Sequence, residues 1–135
     1  MRFVDTNVLL YSISTSEDEA DKAQLAAELL ESRDLVLSTQ VLQEFYVQST
    51  RSSRPDAVDV VKAANLVEAF SRFPVQEITL PIVRAAMDTH QRHRIAYWDA
   101  AIIEAARTSG CRQVLSEDLN SGQDFDGVTV IDPFM

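Results

Sequence analysis

The chain has 135 residues, of which 46% are hydrophobic and 24% charged, and this predicts a single folded domain over residues 1–135. Twelve lysine and arginine residues against 21 acidic residues give a net charge of −9, which argues against duplex DNA binding through the overall field. No apolar stretch is long enough for a membrane helix, and the single cysteine, Cys111, excludes a disulfide framework, so we expect a soluble cytoplasmic protein.

A short apolar strand at the start of the chain ends at an aspartate. Residues 3–4 predict a buried strand that stops at Asp5, and apolar residues then recur at helical spacing from Val8. Ligands of an open α/β sheet bind at the carboxyl ends of its strands, where Asp5 would lie together with Thr6 and Asn7. Because Asp is also a preferred N-cap residue, Asp5 indicates a site only if other polar groups reach the same place.

Strands and helices alternate along the rest of the chain. Further strands are predicted at residues 35–37, 75–78, 113–116 and 128–131, and helices at about 16–33, 38–52, 55–70, 79–94 and 98–110. Residues 117–127 are polar and are expected to form a loop. This alternation predicts a three-layer α/β/α domain with a central, mostly parallel sheet.

Two acids on predicted helices are candidates to join Asp5. Asp99 shares a helical face with Ile102 and Ile103, so it heads a buried stripe, where an acid that only meets solvent is not expected. A favourable interaction with the helix dipole is the alternative explanation for an acid in this first turn. Glu44 lies at the edge of the apolar face of its helix and is the weaker candidate, because most helical glutamates are solvated.

Asp118 repeats the position of Asp5, since it lies two residues after Ser116, where the fourth predicted strand enters the polar loop. A turn residue is the alternative explanation. If Asp5, Asp99 and Asp118 reach one sheet edge, carboxylates about 4 Å apart repel by about 4 kcal/mol at an effective dielectric constant of about 20. A divalent cation relieves this repulsion, and oxygen ligands without cysteine select Mg²⁺, for which Mn²⁺ could substitute. Such an ion supports phosphodiester hydrolysis.

The four acids lie in stretches that are similar to a known family. The segments FVDTNVL (3–9), WDAAIIEAA (98–106) and VLSEDL (114–119), together with Glu44, resemble the PIN-domain ribonucleases, most closely the toxins of VapBC-type toxin–antitoxin pairs. The resemblance covers the whole chain and implies a PIN-like fold. It also implies Mg²⁺-dependent endonucleolytic cleavage of RNA, dimerisation, and inhibition by a small antitoxin. The implied metal-binding and catalytic residues are Asp5, Glu44, Asp99 and Asp118, with Thr6, Asn7 and Ser116 in support.

For the mechanism we expect Asp5 and Asp99 to hold the ion, while Glu44 and Asp118 orient a metal-activated water that attacks phosphorus. One departure from the family is the loop after Asp118, which is longer than the usual form. Whether Asp124 is a further ligand or a turn residue is therefore open, and a turn is favoured.

Basic and aromatic residues near Asp99 are the remaining candidates. Arg84, Arg92 and Arg94, with two histidines between them, could hold RNA phosphates, with Arg51 and Arg54 as an extension of the strip. Alternatively, these cations complement a helix C-terminus. Tyr97 and Trp98 could stack a base, although core packing is the commoner role for such aromatics.

Two other functions are considered. Phosphoryl-transfer domains of haloacid-dehalogenase or response-regulator type also place an Asp at a strand end. These families need a second acid close to the first and a lysine after a later strand. Here the residue two positions after Asp5 is Asn7, and neither Lys22 nor Lys62 follows a strand, which argues against this function. The other is a catalytically inactive PIN-fold module that binds RNA or protein. The presence of four acids argues against it, because clustered buried charges destabilise a fold that gains nothing from a metal.

Overall fold

A six-stranded sheet forms the centre of the computed structural model, which describes all residues 1–135. The strands lie in the order β3-β2-β1-β4-β6-β5, and every pair is parallel except β5 with β6. The predicted mostly parallel, three-layer α/β/α architecture is confirmed. The strands are β1 (Arg2–Val4), β2 (Leu35–Ser38), β3 (Val75–Gln76), β4 (Gln113–Leu115), β5 (Asp124–Phe125) and β6 (Val128–Ile131).

Six α-helices cover this sheet, and neighbouring helices in the chain pack against each other as the pairs α1–α2, α3–α4 and α5–α6. Their bounds are α1 (Thr6–Ser12), α2 (Ala20–Leu29), α3 (Thr39–Ser49), α4 (Val60–Phe70), α5 (Leu80–His93) and α6 (Tyr97–Thr108), with a 3₁₀ turn at Glu17–Glu19. The longest, α5, has 14 residues, and none combines the length and apolar character that a bilayer span requires.

The core is built from fully buried strand residues and the helix faces packed on them. Phe3 and Val4 of β1 and Leu35 and Leu37 of β2 have no exposed surface, because these strands are covered on both faces. Between α5 and α6 the contact is made by alanines, including Ala86 and the Ala100–Ala101 pair, whose small side chains let the two helices approach closely.

Three helices begin directly where a strand or its following turn ends, and each has a side-chain N-cap. Asp5 accepts a hydrogen bond from the backbone N–H of Thr6, Ser38 caps α3 and Thr79 caps α5. Since β2, β1 and β4 are parallel neighbours, the first residues after these strands are brought to one edge of the sheet.

Helix α2 is shorter than the predicted 16–33 and is preceded by the 3₁₀ turn, and two further elements also differ from the predicted ones. Helix α4 begins at Val60 rather than at Pro55, because Asp59 provides the cap by accepting a 2.8 Å hydrogen bond from the backbone N–H of Lys62. The predicted polar loop contains β5, which forms a hairpin with β6 around Asp126 and Gly127, both at positive φ (53° and 100°).

Candidate functional site

Four acids from separate parts of the chain line one small cavity at the carboxyl edge of the sheet. Asp5 follows β1, Glu44 lies on α3, Asp99 lies in the first turn of α6, and Asp118 follows β4. The cavity has a volume of about 100 Å³. Its other lining residues are Thr6, Asn7, Leu10, Gln48, Trp98 and Ile102.

Asp5 is the most deeply buried of the four acids and has a fixed carboxylate. It is 7% exposed, whereas Glu44 and Asp99 are half-buried and Asp118 is exposed. One carboxylate oxygen of Asp5 accepts from the backbone N–H of Thr6 at 2.7 Å, and the other accepts from the Ser116 hydroxyl at 2.8 Å. Asp5 therefore serves as a helix cap and lines the cavity at the same time.

The hydroxyl of Ser116 connects the residues that follow β1 and β4. It donates to Asp5 and accepts from the side-chain amide of Asn7 at 3.1 Å and from the backbone N–H groups of Asp118 and Leu119. The same Asn7 amide group donates to Asp118 Oδ2 at 3.2 Å, and the Asn7 side-chain oxygen, Oδ1, accepts from the backbone N–H of Glu117. These bonds fix the start of the loop that carries Asp118.

Thr6 positions the acid that comes from α3. Its hydroxyl donates to Glu44 Oε1 at 2.9 Å. The neighbouring Gln40 donates from its side-chain amide to the backbone carbonyl of Trp98 at 3.1 Å, which joins α3 to the first turn of α6. Helices α1, α3 and α6 thereby meet around the cavity.

Burial and nearby negative charges favour the protonated forms of Asp5, Glu44 and Asp99. Burial raises the pKa of Asp5 to about 6, opposed by the hydrogen bonds from Ser116 and Thr6 and assisted by the charges of Glu44 and Asp118. Burial also raises the pKa of Glu44, with the charges of Asp99 and Asp118 adding to it. The pKa of Asp99 is raised by burial and by Asp118.

The donor set is of the kind that a hard divalent cation prefers. The cavity offers carboxylate, amide and hydroxyl oxygens, and no lysine, arginine or histidine is among its lining residues. As the side chains stand, no three acids are gathered closely enough to hold one ion together. Cation binding would therefore require rotation of the three acids other than Asp5, which are all at least partly exposed.

A family model matches this chain over nearly its whole length. The model is that of the PIN domain, and it covers residues 2–124, which include all four acids. The chain belongs to the PIN-domain family. No curated protein matches it.

Solved structures similar to this PIN domain are toxins and toxin–antitoxin complexes. A toxin–antitoxin complex from Klebsiella pneumoniae is 19% identical with a TM-score of 0.71, and 98% of each chain is covered. The sarcin-ricin loop cleaving toxin VapC20 of Mycobacterium tuberculosis is 18% identical with a TM-score of 0.67, covering 87% of this chain and 90% of that one. DNA-bound VapBC from Salmonella typhimurium is 18% identical with a TM-score of 0.66, covering 98% and 97%. At these identities the likeness is one of fold.

Asp124 lies away from the acidic cavity of this PIN domain. It is exposed in β5, where its carboxylate accepts from the backbone N–H of Gly127 at 3.0 Å and faces the Thr129 hydroxyl. The structure therefore places it in β5 next to the hairpin turn, which its carboxylate caps, rather than in the turn that the sequence favoured.

The predicted basic residues are dispersed, because Arg84 lies in the N-terminal half of α5 whereas Arg92 and Arg94 lie at its end. Arg92 forms ion pairs with Asp88 and Asp126, and Arg84 and Arg94 are exposed without an ion pair. None of the three lines the acidic cavity. Their contact with RNA stays a prediction.

The expectation that Trp98 packs in the core is wrong, because its side chain is 65% exposed. It lines the acidic cavity together with Gln48, which the sequence reasoning did not single out. A signal for Gln48 was present: Gln40, Glu44 and Gln48 are spaced by four residues and so lie on one face of α3.

Proposed function

We propose that this PIN domain is a Mg²⁺-dependent endoribonuclease that acts as the toxin of a toxin–antitoxin pair. The observation that carries the proposal is the meeting of four acids in one cavity that no basic side chain lines. Mutual repulsion of this kind is relieved by a divalent cation, and Mg²⁺ or Mn²⁺ suits an all-oxygen donor set.

Asp5 and Asp99, with Glu44 and Asp118, would hold the ion, which when bound lowers the pKa of water and offsets charge on a phosphoryl group. The chain's own residues position these acids. Ser116 and the Thr6 backbone orient Asp5, and the Thr6 hydroxyl orients Glu44.

Glu44 and Asp118 would orient the attacking water and accept its proton, and their access to solvent supports this role. Attack by water in line with the leaving oxygen would leave a 5′-phosphate and a 3′-hydroxyl, and it requires no nucleophilic side chain. Analysis of the termini of the cleaved RNA tests this part of the proposal.

The comparisons support the toxin assignment and an antitoxin partner. Among the similar structures, one toxin is described as cleaving the sarcin-ricin loop, and others are described as toxin–antitoxin complexes, some bound to DNA. We infer that RNA is the substrate and that the cognate antitoxin assembles with this chain, which itself forms a homodimer.

The test is cleavage of single-stranded and structured RNA by the purified chain with Mg²⁺, with Mn²⁺ and with a chelator. We expect cleavage only with metal, and a loss of about 100-fold or more in Asp5→Asn and Asp99→Asn, comparable to removing one key electrostatic group. Asp99→Asn is the cleaner variant, because the Asp99 carboxylate makes no hydrogen bond that the substitution breaks.

The matched control is Asp21→Asn, which removes an exposed carboxylate from α2 and should leave cleavage unchanged. Cleavage that survives in both site variants, or in the chelator, would contradict the proposed mechanism. RNA binding without any cleavage would instead favour an inactive binding module.

A further inference from the structure

A second cleft adjoins the acidic cavity and is lined by different chemistry. It has a volume of about 320 Å³ and lies between α3 and the start of α6. Trp98 lines one side, and the other side consists of Gln40, Gln43, Glu44, Val47, Gln48 and Arg51. Because Glu44, Gln48 and Trp98 also line the acidic cavity, the two spaces are continuous.

Trp98 presents a large, held aromatic surface to this cleft. It is the only tryptophan of the chain, and its side chain is 65% exposed. Its backbone carbonyl accepts from Gln40, and its indole contacts the Tyr97 ring edge-on at 5.1 Å between ring centres. Bases of single-stranded nucleic acids commonly stack on exposed aromatic side chains of this kind.

Arg51 is the only basic residue that lines either space, and its guanidinium forms no ion pair. By contrast, Arg54 lies 2.9 Å from Asp56, and Arg92 is paired with two aspartates. In a chain of net charge −9, an unpaired arginine in the cleft that adjoins the acidic cavity is suited to a phosphate group that must be held locally.

The remaining lining residues are mainly amides rather than apolar groups. Gln43 is exposed and Gln48 half-buried, and neither side-chain amide has a hydrogen-bond partner in the fold. An amide offers both donors and an acceptor, which matches the edges of unpaired bases. The cleft thus combines a largely apolar surface that includes Trp98 with amide groups, as a base that is both stacked and hydrogen-bonded requires.

We propose that this cleft is a nucleotide-binding subsite for single-stranded RNA. A base flanking the cleaved phosphate stacks on Trp98, an adjacent phosphate pairs with Arg51, and the amides of Gln43 and Gln48 contact the base edge. This inference rests on the proposed ribonuclease function. It assigns the binding of the flanking nucleotide to α3 and α6 rather than to the end of α5.

Trp98 is also the reporter that tests the proposal. A ten-nucleotide single-stranded oligoribonucleotide is titrated into the full chain with Ca²⁺ in place of Mg²⁺, and the oligonucleotide is checked to be intact afterwards. We expect saturable quenching of the indole emission. Arg51→Gln should raise the Kd at least about 5-fold, whereas Arg33→Gln, an exposed arginine before β2 at the opposite sheet edge, should not change it.

Cleavage kinetics with Mg²⁺ and anisotropy of a labelled oligonucleotide give the second readout. Trp98→Ala should raise KM and Kd at least about 5-fold, and Trp98→Phe should restore most of the binding, since a phenyl ring still stacks. Far-UV circular dichroism and melting verify that these exposed-site variants are folded.

The outcomes separate the subsite from the function. Cleavage with unchanged KM and Kd in Trp98→Ala and Arg51→Gln overturns the subsite and leaves the ribonuclease proposal standing. Quenching that depends on Arg51 in a chain that cleaves no RNA supports the subsite and overturns the nuclease. RNA binding that leaves the Trp98 emission unchanged assigns the cleft to another occupant, such as a protein partner, and overturns the subsite.

Discussion

The hydroxyl of Ser116 takes part in four hydrogen bonds at a position with no exposed surface. In Ser116→Ala, the Asn7 amide and the two backbone N–H groups lose an acceptor, and Asp5 loses a donor. Because buried polar groups left unpaired are costly, we expect the free energy of unfolding to fall by about 2–3 kcal/mol. Urea denaturation measures this.

The matched control is Ser71→Ala on the exposed end of α4, where the hydroxyl bonds only to the Glu68 carbonyl. This change should cost less than about 0.5 kcal/mol. Equal losses in the two variants would mean that the Ser116 network does not hold the site together.

Asp5 should make stability depend on pH in the absence of metal. Its pKa is about 6 in the folded protein against an ordinary 3.8, so between these values the folded state binds more protons than the unfolded chain. Its contribution to stability is complete below the lower value and is lost as the pH rises to about 6. Relative to Asp5→Asn, the wild type should lose on the order of 2–3 kcal/mol between about pH 4 and pH 7.

This prediction is measured by urea denaturation in a chelator at a series of pH values. The difference in the free energy of unfolding between the wild type and Asp5→Asn is taken at each pH. This subtraction cancels the contributions of acids with lowered pKa, such as Asp34 and Glu117, which have the opposite sign. A difference that stays constant with pH would contradict the burial of a titrating Asp5.

Single residues also mark the limit of what the sequence predicts. Asp5 and Asp118 could be placed at one sheet edge, because a strand end is a local signal and parallel neighbours share an edge. The exposure of Trp98 could not be predicted, because its four-residue spacing to Ile102 is typical of a buried helix face. Residues 100–106 of α6 are buried whereas Trp98 is exposed, and this difference depends on tertiary packing.

At the scale of elements, the contact between α5 and α6 contains a buried acid. Glu104 is 5% exposed, accepts from the Thr89 hydroxyl at 2.8 Å and pairs with Arg107 at 2.9 Å. Glu104→Ala leaves the Thr89 hydroxyl and the Nε of Arg107 without an acceptor, so we expect a loss of about 2–4 kcal/mol in the free energy of unfolding. The other guanidinium nitrogens of Arg107 keep the backbone carbonyls of Phe125 and Asp126. Glu68→Ala, an exposed position on α4, is the control for loss of a helical glutamate and should change stability little.

The sequence analysis missed strand β5 and the start of α4, and the two errors have different causes. For the β5–β6 hairpin, a local signal was present, since Asp126-Gly127 is a favoured pair for a two-residue turn with both φ angles positive. For α4, Pro55 and Asp59 both carry helix-start signals, and only the contacts of residues 55–59 decide between them. One such contact is the bond from the Val58 backbone N–H to the Ser49 carbonyl.

For the whole molecule, a net charge of −9 with four acids in one cavity predicts stabilisation by metal. At a hundredfold excess of free Mg²⁺ or Mn²⁺ over its Kd, the Tm should rise by about 5–10 °C, because only the folded chain gathers the ligands. In Asp99→Asn this rise should be much smaller.

In a chelator, the Tm of Asp99→Asn should lie a few degrees above that of the wild type. The substitution removes repulsion from Asp118, which raises the pKa of Asp99, and it breaks no hydrogen bond. Thermal melting followed by circular dichroism checks both conditions. If the Tm of the wild type changes with neither Mg²⁺ nor Mn²⁺, the cavity does not bind a metal ion.

The bond between Ser116 and Asp5 joins residues 111 positions apart. A chain still being synthesised has Asp5 long before it has Asp118, so it cannot assemble the acidic cavity until almost the entire polypeptide has left the ribosome. If the protein cuts RNA, a nascent chain cannot do so before Asp118 has left the ribosome, and a fragment that stops before Ser116 lacks both the bond to Asp5 and the fourth acid.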